Sequence, residues 1–215
     1  MRFFIDNLQI SVVLSFVATL GALVALWFGP GVWRLSALWV YLVTVAGMCL
    51  GLMFLGTPTP EVAGVLECCR ALLAVLVALE IGRRAGSIRG ARQRWVDCRF
   101  QILCYTGIAW ALGLIAERLS PHPAVLMWGY RGVAMVDLAA AAALLTVWAR
   151  LSIPNRQDEI TVHYLGIVYA LHCCYRLLWQ VGPAHAQFFG WAATVTYCIT
   201  MVMIGAAALE EWADR

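Results

Sequence analysis

Long apolar runs alternate along this chain with short polar connections, and the repeat is too long for a soluble helix and far too long for a strand. Seven runs stand out, at residues 8–28, 36–56, 62–82, 100–116, 124–149, 160–181 and 186–209. An apolar helix of about 20 residues crosses the ~30 Å hydrocarbon core of a bilayer, so each run is predicted to be a transmembrane helix. Helix breakers fall between them: Gly29-Pro30-Gly31, Thr57-Pro58-Thr59-Pro60, Pro121-His122-Pro123, Pro154-Asn155 and Gly182-Pro183. The remaining connection is rich in arginine. The pattern predicts an all-α integral membrane protein, a seven-helix bundle filling residues 1–215 as a single polytopic domain.

Composition agrees. The chain is 63% hydrophobic and 13% charged, with mean hydropathy +0.81, whereas a soluble domain carries about 25% charged residues. All 15 basic residues are arginine, a bias expected of a GC-rich bacterial or phage genome, and the lack of lysine excludes a retinal Schiff base. The net charge of +3 reads as topology and contact with anionic headgroups, with no signal for nucleic acid.

Arginine placement orients the bundle. Six arginines lie between Arg83 and Arg99, and with Arg34, Arg150, Arg156 and Arg215 they put ten on one side against Arg2 and Arg118 on the other. Basic residues are retained in the cytoplasm, so the amino terminus is expected outside and the carboxyl terminus inside, in a bacterial inner membrane. Residues 1–7 are weakly basic and the first apolar run is long for a signal sequence, so it reads as a retained helix.

Small residues recur at helical spacing within the runs. Ser11, Ser15 and Thr19 lie four apart, Gly47 and Gly51 form a GxxxG, and 139–143 is all alanine. All three read as helix packing. Trp33, Trp95, Trp179 and Trp212 read as interfacial anchors, and His122, His163 and His185 as solvated.

Ionisable residues within the runs carry the functional signal, since each costs about 2.5–3.5 kcal/mol at the centre of an inserted helix. Glu67 and Arg70 are three apart and can pair. Tyr169, His172, Arg176 and Gln180 follow spacings of three, four and four, forming one polar stripe. Arg131 and Asp137 are six apart and point in different directions. With the bundle oriented as above, Glu67, Arg70, Arg131, His172 and Arg176 lie at about 8–14 Å depth in the outer half. Three arginines against one glutamate define a cationic cavity suited to a carboxylate, sulfate or phosphate. The alternative is a set of internal ion pairs locking helices together.

Cysteines follow the same level: Cys49, Cys68-Cys69 and Cys173-Cys174. With His172 they could hold a soft metal, but adjacent cysteines on a helix diverge by about 100°, no CxxC occurs, and small apolar filler is the simpler account. The run Glu67-Cys68-Cys69-Arg70 resembles the cysteine-containing motif of exosortase-type membrane transpeptidases, although the glycine that follows in that family is absent here. The resemblance implies a cysteine nucleophile activated by positive charge, which Arg70, Arg176 and His172 would supply.

Motifs for zinc proteases, serine hydrolases, phosphate loops and attached haem are absent, and no cofactor is implied. The expectation is a protein that binds or translocates a small anionic or amphiphilic molecule through Glu67, Arg70, Arg131, Tyr169, His172 and Arg176, or an integral subunit of a larger membrane complex. Its partners are the bilayer, that ligand and other membrane subunits. A membrane-embedded cysteine enzyme acting at the outer leaflet is the alternative.

Overall fold

The structure is a computed structural model that describes the backbone of residues 2–28, 36–55, 60–87, 91–118, 124–178 and 183–214. Within these, the side chains of 2–9, 60–61, 110, 113–118, 124–131 and 183–185 are not described. The expectations for Trp33, Arg34, Pro58, His122, Trp179, Gln180 and Arg215, and for the side chains of Arg2, Arg118, Arg131 and His185, lie outside the described residues.

Seven α-helices account for nearly all of the described chain: α1 (Arg2–Phe28), α2 (Ala37–Leu55), α3 (Pro60–Gly86), α4 (Arg92–Arg118), α5 (Ala124–Arg150), α6 (Arg156–Leu178) and α7 (Pro183–Ala213). Five of them, α1, α2, α3, α5 and α7, are long and apolar enough to cross a membrane over their described residues. The chain is a helical membrane bundle.

Several helices outrun the apolar stretches that predicted them, because a polar turn stays helical when its backbone groups find partners. Pro60 and Pro183 open α3 and α7, a position where the missing N–H is no loss. Asn155 caps α6: its Oδ1 accepts the Gln157 N–H at 2.8 Å and its carbonyl accepts that of Glu159 at 3.0 Å. Ser36 caps α2 in the same way through Trp39 N–H at 3.2 Å, while a Glu80 carboxylate oxygen from α3 accepts the Ala37 N–H.

Six helices pack in the cyclic order α1–α2–α3–α5–α6–α7 and back to α1, and α4 lies outside that ring against α5 and α3. Across the ring, α3 and α6 touch only sparingly. Two close approaches need glycine. On α6, a Cβ at Gly166 would fall 2.9 Å from the Leu145 side chain of α5, and α4 lays the Trp95 indole over Gly82 and Gly86 of α3. Trp95 is thus a packing residue between α3 and α4, a correction to its reading as an interfacial anchor.

The Gly47 and Gly51 pair is also corrected. Neither would bring a Cβ within 4 Å of another residue. The reason is helical phase: α2 buries Leu38, Tyr41, Leu42, Val45, Ala46 and Cys49, a stripe at i, i+3, i+4, i+7, and the glycines fall off that face. The alanine run behaves as expected, with Ala139, Ala140, Ala141 and Ala143 buried.

Candidate functional site

The ring interior is polar at one level, and it draws side chains from every helix of the ring. On α3, Glu67 and Arg70 stack one turn apart, with Arg70 Nη2 2.7 Å from Glu67 Oε2. From α6, Arg176 Nη2 comes within 3.1 Å of the same Glu67 oxygen, and its Nε donates to Asp137 Oδ2 of α5 at 2.7 Å. The result is a chain of alternating charge, Arg70–Glu67–Arg176–Asp137, across three helices.

Tyrosines extend it toward α2. The Tyr169 hydroxyl of α6 lies 3.1 Å from the Arg70 carbonyl oxygen and 3.4 Å from the Tyr41 hydroxyl of α2. The Arg70 guanidinium sits over the Tyr169 ring at 5.3 Å from its centroid, a cation–π contact. On the far side of the ring, Tyr197 of α7 shares a 2.7 Å hydroxyl bond with Thr19 of α1, and Thr19 also donates to the Ser15 carbonyl at 2.6 Å. Thr19 therefore joins two helices, as its place in the small-residue stripe implied.

Burial grades along the network. Asp137 has no exposed surface, the Arg176 and Arg70 side chains retain 10% and 12%, and that of Glu67 retains 26%, so the open edge is at Glu67. Several buried atoms have no aligned hydrogen-bond partner among the described residues: Arg70 Nε, Asp137 Oδ1 and His172 Nδ1. The Glu67–Arg70 contact is itself a charge contact without an aligned hydrogen bond. A buried donor or acceptor left in this condition costs about 1–3 kcal/mol, more when charged.

Of the residues singled out from sequence, Glu67, Arg70, Tyr169 and Arg176 meet in this network, and His172 is on the same helix one turn before Arg176. Arg131 lies outside the described side chains. Asp137 supplies a second carboxylate, so the described ionic members are two arginines and two carboxylates, and Arg131, the third arginine of the expected cavity, is outside this count. Asp137 and Tyr41 are the two members that sequence reasoning left out. Spacing within α5 was no guide to Asp137, whose partner is on α6. A carboxylate in an alanine-rich apolar run still requires a cation, and that signal was present.

Three cysteines border the network, Cys49 within electrostatic reach of Arg70 and Glu67, and Cys68 and Cys173 within reach of Asp137 and Arg176. Cys69 and Cys174 are exposed, Cys68 is half-buried, Cys173 and Cys49 are buried, and all eight are free thiols. Among the described residues no group of three histidine, cysteine, aspartate or glutamate side chains is placed to hold a metal ion.

A second polar layer closes the arginine-rich end of the same α3–α6 seam. Arg84 of α3 reaches Asp158 of α6 at 3.3 Å and Glu80 of its own helix at 3.3 Å. Burial pushes the Asp158 carboxyl up to about 6, against the pull of Arg84 and with added repulsion from Glu80 and Glu211. Beside it, both amide atoms of buried Gln157 lack a hydrogen-bond partner among the described residues. At the rim Arg156 pairs with Glu210 of α7 at 3.1 Å, an exposed contact. His163 stacks on Trp148 of α5, with ring centroids 4.1 Å apart and planes at 3°, so it is a packed ring and not a freely solvated one.

No protein-family model, curated protein or solved structure matches the chain.

Proposed function

We propose that this protein is a multi-pass protein of a bacterial inner membrane, amino terminus outside, that binds or translocates a small molecule bearing an anionic group within its six-helix ring. The observation that carries this reading is the set of buried atoms, Arg70 Nε, Asp137 Oδ1 and His172 Nδ1, that have no aligned hydrogen-bond partner among the described residues, at one level of a membrane interior. A purely structural ion-pair lock would gain by satisfying those atoms internally. A guest offering an anionic oxygen to Arg70 and a donor to Asp137 would satisfy them instead, and the partly open side chain of Glu67 marks its entry.

The experiment is thermal unfolding of the purified protein in detergent against a panel of acetate, methanesulfonate, inorganic phosphate and glycine. A saturable rise with at least one of these, lost in Arg70→Gln, is the expected result. No response to any of them would leave the network as a lock. Reporter fusions test the orientation: one after Arg215 should read cytoplasm and one between Pro58 and Pro60 periplasm.

Gly47 and Gly51 of α2, where an added Cβ would meet nothing within 4 Å, favour a second reading, a subunit of a larger membrane complex that docks another helix on that face. Cross-linking in intact membranes from a cysteine placed at Met48 would capture that helix. Cross-linking to lipid alone would remove this reading.

A further inference from the structure

Outside the ring, α4 presents a face on which charge and apolar surface are separated along the helix axis. Arg92, Val96, Arg99, Phe100 and Leu103 follow one another at spacings of four, three, one and three, a single stripe of a 3.6-residue helix. Arg92, Arg94 and Arg99 are exposed, and further along the helix Phe100 and Leu103 are 67% and 60% exposed. A groove on this face is lined by Val96, Asp97, Arg99, Phe100, Gln101 and Leu103. The helix is held in place from behind by Trp95, which packs on Gly82 and Gly86, so the face is presented by a fixed element.

We infer that this groove is a binding site for one phospholipid with an anionic, hydroxyl-bearing headgroup, its phosphodiester on Arg92 and Arg99 and its acyl chain along Phe100 and Leu103. Charge complementarity selects the occupant. On this stripe the exposed Arg92 and Arg99 face one carboxylate, Asp97, whose Oδ1 already accepts the Gln93 side-chain amide at 3.3 Å. Guanidinium groups bind phosphate oxygens in pairs, and each basic residue near an anionic surface adds about 1 kcal/mol of attraction.

Asp97 and Gln101 line the same groove and would repel or ignore a bare phosphate. They can accept hydrogen bonds from headgroup hydroxyls, which is why the headgroup is assigned as hydroxyl-bearing. Phe100 lies one residue past Arg99 and Leu103 a turn past it, about 1.5–6 Å along the axis, where an acyl chain runs when its phosphate is at the arginines. A general positive field would attract anionic lipid without this register. A built site would retain one molecule through detergent.

The test is native mass spectrometry of the whole protein, released from detergent after exchange into equal amounts of phosphatidylglycerol and phosphatidylcholine. One phosphatidylglycerol should be retained per chain. The Arg92→Gln, Arg99→Gln double variant should hold it about 30-fold more weakly, and Arg92→Lys with Arg99→Lys should restore most of the retention, which separates lost charge from lost fold. Phe100→Ala with Leu103→Ala should also release it. Equal retention of phosphatidylcholine, retention unaffected by the Phe100 and Leu103 changes, displacement by inorganic phosphate, or phosphatidic acid bound as tightly as phosphatidylglycerol would each overturn the assignment.

Discussion

Arg176 donates its Nε–H to Asp137 Oδ2 at 2.7 Å, joining α6 to α5 at a carboxylate with no exposed surface. The same guanidinium reaches Glu67 on α3 at 3.1 Å, so one side chain neutralises two carboxylates on two other helices. That makes Arg176 the hinge of the network's charge balance, and its loss the most damaging single change.

Arg176→Gln should lower stability by about 3–5 kcal/mol, the usual cost of leaving a buried charge without its partner. Asp137→Asn in the same protein should recover a large part of that loss, because the uncompensated carboxylate is gone. A double-mutant cycle read by thermal unfolding in detergent checks it, and coupling below about 0.5 kcal/mol would mean the two residues act independently.

Replacing Glu67 and Arg70 together by leucine should leave a folded protein. Arg176 keeps its bond to Asp137 in that variant, so no buried charge is orphaned, and exchanging a pair for apolar residues is often near neutral. The stabilisation by small anions described above should vanish, because the guanidinium that receives them is absent. A double variant that folds and responds to the anions as before would place their site elsewhere.

Glycine positions separate packing inside the ring from contact outside it. Gly166→Ala must push a Cβ toward Leu145 at 2.9 Å, and overpacking of this kind costs about 1–3 kcal/mol. Gly47→Ala meets nothing within 4 Å and should be neutral or gain up to about 1 kcal/mol from helix propensity. Unfolding midpoints of the two variants in the isolated protein give the comparison.

Much of this was readable from the amino-acid order, and what was not readable has a common cause. Periodicity within a helix is local, so the Glu67–Arg70 pair and the Tyr169, His172, Arg176 stripe were visible from spacing alone. The helix order around the ring depends on contacts far apart in sequence. Asp137 looked unrelated to the other charges because its partner is 39 residues away, and Tyr41 looked like one more aromatic in an apolar run. Gly47 and Gly51 misled for the same reason: spacing shows that two residues share a face and does not show which face is covered.

At the other end of the α3–α6 seam, Asp158 makes a prediction whose sign runs against intuition. It pairs with Arg84 at 3.3 Å, which suggests a stabilising charge. Yet burial outweighs that attraction and raises its carboxyl from 3.8 to about 6. A raised carboxyl means the folded protein holds the proton more tightly than the unfolded chain does. Its contribution to stability is therefore full below about pH 4 and declines as pH rises through 6. At 1.36 kcal/mol per pKa unit, a shift of this size makes the ionised group cost about 3 kcal/mol at neutral pH. Asp158→Asn should then gain least over the wild type near pH 4.5 and most at pH 7.5. Removing Arg84 in the wild type should move the decline to higher pH, since the one favourable charge is lost. Unfolding midpoints taken from pH 4.5 to 8 for the wild type, Asp158→Asn and Arg84→Gln decide the matter. An Asp158→Asn protein less stable than the wild type at pH 7.5 would show that the Arg84 pairing outweighs the cost of burial, and that this layer is a lock between α3 and α6 rather than a strained contact.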